Sequence, residues 1–224
     1  MNILLIAATP AELEDFLPLS PPAYLQTANC LLHGHQWTMA CTGVGVAATT
    51  YALTCLLQKN SYDFVLQLGI CGSFDKSIAI GEVVHITHEQ FGDLGAEDNY
   101  QFLDLFELGL ASGDDFPFTR GKLVTPHSPL HDKLLLPSVS GITVHAGSGN
   151  EYTIELRAEK YKCQVESMEG AAMHFVALQE KIPFAQVRAI SNYIEKRNRD
   201  NWDIPAAMKA LRNWFLGFQE RIKI

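Results

Sequence analysis

Three short stretches of this 224-residue chain are predominantly apolar and lack a regular apolar–polar alternation: residues 2–8, Asp63–Leu68 and Phe184–Ile190. A strand with one wet face alternates apolar and polar residues, whereas one covered on both faces need not. Strands of the second kind belong to largely parallel sheets with helices packed on either side. Helical patterns fall between these runs, at Val46–Leu57, Ile154–Tyr161, Met168–Glu180 and Ile204–Ile222. The alternation predicts one α/β domain spanning residues 1–224. Its central sheet is expected to be mixed but largely parallel and flanked by helices.

Local signals add detail. Thr9-Pro10-Ala11-Glu12 reads as a helix start, with Thr9 at the N-cap, Pro10 in the first turn and Glu12 closing a capping box. That helix is expected to end near Pro18, before a loop over residues 20–29. Leu31–Cys41, broken at His33-Gly34-His35, predicts a hairpin. Gly43-Val44-Gly45 and Gly69–Ser73 read as glycine-rich turns after strands. A strand is expected at Glu82–Thr87, after a turn at Gly81. Residues 90–119 show no clear period and read as a long loop or insertion. Short strands are expected near 121–125, 141–146 and Cys163–Glu166, and the last helix starts at Asp203 and Pro205.

Composition narrows the function. An apolar fraction of 47% with 19% charged residues describes a folded chain. A chain of this size buries roughly 70–75% of its extended surface, so its core needs neither disulfide nor metal. The formal net charge of −8 argues against nucleic acid and anionic membranes as partners. Neither an export signal nor a membrane-spanning run is expected. Five scattered cysteines without a Cys-x-x-Cys pair fit buried, reduced thiols in a cytoplasmic protein. The histidines do not form a metal site: His85 and His88 are three apart on a strand and point to opposite faces.

Several polar or glycine-rich segments directly follow core strands, the place where open α/β sheets bind ligands. Gly43-Val44-Gly45-Val46-Ala47-Ala48 approximates a phosphate-binding glycine motif, or simply allows a tight turn and close helix packing. Glu166-Ser167-Met168-Glu169-Gly170 places a carboxylate in the first turn of a helix rich in small residues, where the helix dipole also favours an acid.

Taken together, Ala7–Glu12, Thr42–Gly45, Leu68–Ser73 with Gly81–Val84, Gly147–Asn150, Ser167–Ala172 and Arg188–Asn192 resemble the purine nucleoside phosphorylase/nucleosidase superfamily. The methylthioadenosine/adenosylhomocysteine nucleosidase branch is the most similar part of it. Arg188–Tyr193 with Arg197-Asn198-Arg199 and Trp202 looks most like a branch from menaquinone synthesis. That branch removes hypoxanthine from a nucleoside carrying a carboxylated aromatic group. The resemblance implies a nucleosidase-type fold, a small nucleoside substrate, no cofactor, no metal and a homo-oligomer, most simply a dimer.

It also implies residue roles. Glu12 would activate the attacking water. Glu169 would accept hydrogen bonds from ribose hydroxyls, with Met168 packed on the sugar and Gly72 beside it. Tyr152 and Thr153 would meet the base. Asn192 would face the purine where adenosine-cleaving relatives have Asp. Ile70 departs from the small hydroxyl residue common in the nucleosidase branch.

The chemistry suits these residue types. Cleaving an N-glycosidic bond develops positive charge on the ribose and negative charge on the purine, so a carboxylate near the sugar stabilises the first and can take a proton from water. A neutral Asn offers donors and an acceptor but no acid proton, which favours a 6-oxopurine. Arg197 and Arg199 are candidates to bind the substrate's carboxylate, or are solvated loop charges. A methylthioadenosine-type nucleosidase, a phosphorylase and a noncatalytic nucleoside-binding protein remain as alternatives.

Charge distribution bears on the phosphorylase. Residues 1–119 carry 2 basic and 14 acidic side chains (net −12), while residues 120–224 carry 15 and 11 (net +4). All seven arginines lie at or beyond Arg120. Superfamily phosphorylases hold phosphate with arginines from their N-terminal half, so the resemblance, with no arginine in that half here, favours water over phosphate as nucleophile.

Overall fold

A computed structural model describes residues 1–14 and 22–223. In chain order the elements are β1 (Asn2–Ala7), β2 (Thr27–Leu32), β3 (His35–Cys41), α1 (Val46–Lys59), β4 (Phe64–Ser73), β5 (Val83–Phe91), β6 (Gly95–Asp98), β7 (Gln101–Asp104), β8 (Leu123–Val124), β9 (Ser138–Thr143), α2 (Glu151–Tyr161), β10 (Val165–Ser167), α3 (Gly170–Gln179), β11 (Phe184–Tyr193) and α4 (Ile204–Arg221).

The main sheet runs β10-β9-β5-β11-β4-β1-β3-β2, with β8 paired to β5. It is mixed: β4 runs parallel to β1 and β11, while β5 runs antiparallel to β11. The apolar runs are covered on both faces, as their composition requires. Ile3, Leu5 and Ala7 of β1 join a cluster completed by Ala207, Leu211, Phe215 and Phe218 of α4. Leu4 and Ile6 of the same strand face the other way, into a cluster with Leu53 and Leu56 of α1 and Met173 and Val176 of α3.

β4 places the functional site. Its first half pairs with β1, from Ile3↔Phe64 to Ile6↔Gln67. Its second half exchanges β1 for β10, at Gly72↔Glu166 and Ser73↔Val165. Five strands, β4, β10, β9, β5 and β11, therefore close into a ring. All five contribute to one apolar cluster that includes Cys71, Val84, Ile86, Val139, Val165 and Ile190. Where β4 leaves β1, the carboxyl ends of the strands open into a cleft.

Several expectations change. Gly69–Ser73 is no turn: β4 continues through it. The helix expected from Thr9 is a single 3-10 turn at Pro10–Glu12, and its end near Pro18 lies outside the described residues. The insertion at 90–119 contains the β6–β7 hairpin. The hairpin at His33-Gly34 forms with both residues at positive φ, 52° and 82°. Among the described residues, no helix is long and apolar enough to cross a membrane, and no cluster of three His, Cys, Asp or Glu is placed to hold a metal ion.

Candidate active site

The cleft has a volume of about 340 Å³. Glu12 enters it from the 3-10 turn after β1 and is 7% exposed. Its two oxygens have different partners. Oε2 accepts from the Thr9 backbone N–H (2.9 Å), the contact a capping-box glutamate makes, and also from the Thr9 hydroxyl (3.1 Å). Oε1 is left for the cleft, with one long contact to the Ile70 N–H at 3.4 Å. The structural and functional readings of Glu12 thus use separate atoms. Burial pushes its carboxyl pKa above the ordinary value. Arg188 opposes that shift, Glu169 adds to it, and the Thr9 hydrogen bonds reduce it.

Glu169 is the N-cap of α3 and is buried. Oε1 accepts from the Gly45 N–H at 3.0 Å, and Oε2 lies 3.3 Å from Arg188 Nη2. The Gly43–Gly45 segment, which suggested a phosphate cradle, here hands a backbone donor to a carboxylate. Arg188 on β11 is 1% exposed, and its Nη1 donates to the Ile70 carbonyl at 3.3 Å. Two acids and one arginine leave this buried group with a formal charge of −1. Gly69 explains the close packing. A Cβ there would collide with the Arg188 guanidinium and lie 3.0 Å from Glu12 Oε1.

Asn192 follows a bulge in the β11–β4 register between Ile190 and Asn192, which aims its side chain into the cleft. Ser191 Oγ lies 2.8 Å from Asn192 Oδ1, and Asn192 Nδ2 donates to the Tyr193 carbonyl at 3.0 Å. One N–H of the amide is left to offer the cleft, beside an oxygen that Ser191 orients. Gly72 lies opposite Asn192 in the sheet, and a Cβ at Gly72 would sit 3.2 Å from Nδ2. Met168 and Gly72 both line the cleft.

One wall is set by the 147–149 loop. Glu166 accepts from the Ser148 N–H (2.7 Å) and hydroxyl (2.6 Å), and Arg157 Nη1 reaches both Ser148 Oγ (2.9 Å) and Glu166 Oε2 (3.3 Å). Arg197 also lines the cleft; its N–H donates to the Gly149 carbonyl at 3.1 Å, and its guanidinium sits 5.1 Å from the centre of the Trp202 ring.

Three expected contacts lie elsewhere. Tyr152 and Thr153 line a neighbouring cavity under the β6–β7 hairpin. The cause is local: Asn150 caps α2 by accepting from the Thr153 N–H at 2.9 Å, which occupies that backbone donor within the helix start. Arg199 is absent from the cleft wall and lies on the Trp202 ring at 5.8 Å. Sequence reasoning assigned no role to Arg188, Ser191, Ser148 or Glu166. Arg188 had a signal: Gln186 and Arg188 occupy alternate positions in a strand otherwise apolar, and fully buried polar side chains there require partners.

The cleft thus brings Glu12, Glu169, Asn192 and Ser148 together around one space. Comparison with known proteins gives the family and the fold. Residues 2–215 match the phosphorylase superfamily. The chain is 30% identical to the futalosine hydrolase of Acidothermus cellulolyticus over 181 residues, 77% of this chain and 71% of the relative. It is 30% identical to that of Streptomyces coelicolor over 221 residues, 94% and 92% of the two chains. A solved futalosine hydrolase mutant of Helicobacter pylori shares the fold, with a TM-score of 0.81 over 99% of both chains at 16% identity.

Proposed function

The chain belongs to the phosphorylase superfamily, and from that membership and the cleft geometry we infer that it is a nucleosidase hydrolysing futalosine to release hypoxanthine, a step of menaquinone synthesis. The observation that carries this reading is the division of labour at Glu12. One oxygen is tied to Thr9, and the other faces the space beside Glu169 and Arg188. A water there would lose its proton to Oε1 as the glycosidic bond lengthens. The negative group beside the sugar stabilises the oxocarbenium-like charge. Glu169 accepts from the ribose hydroxyls, and Met168 packs on the sugar.

At the other end, the leaving purine gains negative charge. Asn192 presents a neutral donor there, suited to O6 or N7 of a 6-oxopurine. The carboxylate of futalosine meets Arg197, whose guanidinium is oriented by Trp202. The experiment measures purine release in phosphate-free buffer from futalosine, inosine, aminofutalosine and methylthioadenosine in parallel. Hypoxanthine from futalosine, at the highest kcat/KM of the four, is the expected result. Release only with added phosphate would make the protein a phosphorylase, and nucleoside binding without release would make it a binding protein.

A further inference from the structure

Glu89 on β5 has no part in the chemistry above, yet it is fully buried at the back of the site. Its carboxylate has two side-chain partners, and each leads to a different wall of the cleft. Oε1 accepts from Gln186 Nε2 at 2.9 Å; Gln186 lies two residues before Arg188 on β11 and therefore on the same face of the strand. Oε2 accepts from Thr143 Oγ at 3.0 Å, and that oxygen accepts from the Ala171 N–H at 2.7 Å, two residues after Glu169 in the first turn of α3. Two glycines record how closely the carboxylate is enclosed. A Cβ at Gly141 would lie 2.8 Å from Glu89 Oε1, and one at Gly170 would collide with the same oxygen.

We propose that Glu89 is a positioning residue for the Glu169–Arg188 pair: through Thr143 it fixes the turn that carries Glu169, and through Gln186 the strand that carries Arg188. Its consequence is ribose affinity, because Glu169 binds the sugar in the reading above, on which this inference rests. The links depend on protonation. An ionised Glu89 accepts strongly from both neighbours at once, whereas protonation turns one oxygen into an O–H and weakens one link. Burial pushes Glu89 up to about 7. Arg188 on β11, with the Gln186 and Thr143 hydrogen bonds, opposes that shift, and Glu169 at the start of α3 adds to it. The other titratable groups nearby are uncharged at neutral pH. Burial raises the thiols of Cys71 and Cys163 to about 12 and lowers His174 on α3 to about 3.

The test compares wild type with Glu89→Gln, which keeps the shape but whose single carbonyl can accept from only one of Gln186 Nε2 and Thr143 Oγ, and with Thr143→Val, which cuts the link to α3 and leaves Glu89 in place. Steady-state kinetics on futalosine and inosine are recorded across pH 5.5–8.5. In both variants KM is expected to rise about five- to tenfold while kcat changes less than threefold, the split produced by weakened ground-state binding. Wild-type KM should rise as pH falls through about 7, and that inflection should vanish in Glu89→Gln. Unchanged KM in both variants, a fall in kcat alone, or a pH-independent wild-type KM would each overturn the inference. A wild type that cleaves no nucleoside defeats the proposed function, and the crystal structure of Glu89→Gln then decides the present point. Separation of Glu169 from Arg188 supports it, and a contact retained at 3.3 Å refutes it. If neither variant folds, Glu89 is only a core residue and the positioning role is lost.

Discussion

Glu12 must be ionised to accept a proton from water, but its site resists ionisation. Burial is the largest influence and raises the pKa, Arg188 opposes it, and Glu169 adds to it. The acid limb of kcat/KM should therefore lie above the ordinary carboxylate value of 4.5, with activity lost as pH falls through it. Glu12→Gln retains an acceptor for the Thr9 N–H and removes the base, so kcat should fall on the order of 10²–10⁴-fold while the melting temperature moves little. An unaltered kcat in the folded variant would remove Glu12 from the chemistry. Asn192 sets a second contrast. A carboxyl group there can both protonate N7 and accept from a 6-amino group, whereas an amide has no acid proton to give. Asn192→Asp should shift relative kcat/KM towards aminofutalosine by about tenfold or more, equivalent to roughly 1.4 kcal/mol. The same ranking of substrates before and after the change would refute its role in reading the base.

At the scale of elements, β4 contributes a surface of missing side chains. Its second half is glycine-rich because side chains from β11 and its continuation occupy the space: Arg188 over Gly69, and Asn192 and Ile194 over Gly72. Gly69→Ala is compatible with strand backbone but displaces the guanidinium shared with Glu169. It should lower kcat/KM by about 10²-fold, the scale of a misplacement of about 1 Å, and the circular dichroism spectrum should stay native-like. Near-wild-type kinetics would show that Arg188 has room to spare. The segment after β11 makes a second prediction. Arg197 lines the cleft and Arg199 lies outside it, though both stand on Trp202. Arg197→Gln should raise KM for futalosine about tenfold relative to inosine, and Arg199→Gln should raise neither. Equal effects of the two changes would place the carboxylate elsewhere. These elements also show what a sequence can reveal. The doubly covered runs at β1, β4 and β11 were legible because burial on both faces removes alternation. The extension of β4 through Gly69–Ser73 was not, because glycine marks a turn and a crowded strand equally well. Tyr152 was misplaced for a related reason: the start of α2 depends on where Asn150 caps it, and periodicity locates a helix better than its first residue.

Across the whole molecule, charge read along the chain differs from charge read in space. The first 119 residues hold no arginine, but pairing β11 with β4 carries Arg188 into the site built on that half. An arginine beside the sugar could hold phosphate if it were free. Here it faces Glu169 at 3.3 Å, and Glu12 influences its field from the other side. A phosphate dianion would enter a buried group already at −1 and would have to displace a carboxylate from the guanidinium. Even at an effective dielectric of about 20, like charges about 4 Å apart repel by about 4 kcal/mol, enough to suppress occupancy by roughly a thousandfold. Water meets no such barrier, and its activation is assisted by the same negative charge. The rate of hypoxanthine release should therefore be unchanged, within about twofold, between phosphate-free buffer and 50 mM phosphate at matched ionic strength. No 1-phosphorylated sugar should form. Tenfold stimulation by phosphate, or a phosphorylated sugar among the products, would mean that Arg188 leaves Glu169 during turnover and that the charge balance of the resting cleft does not select the nucleophile.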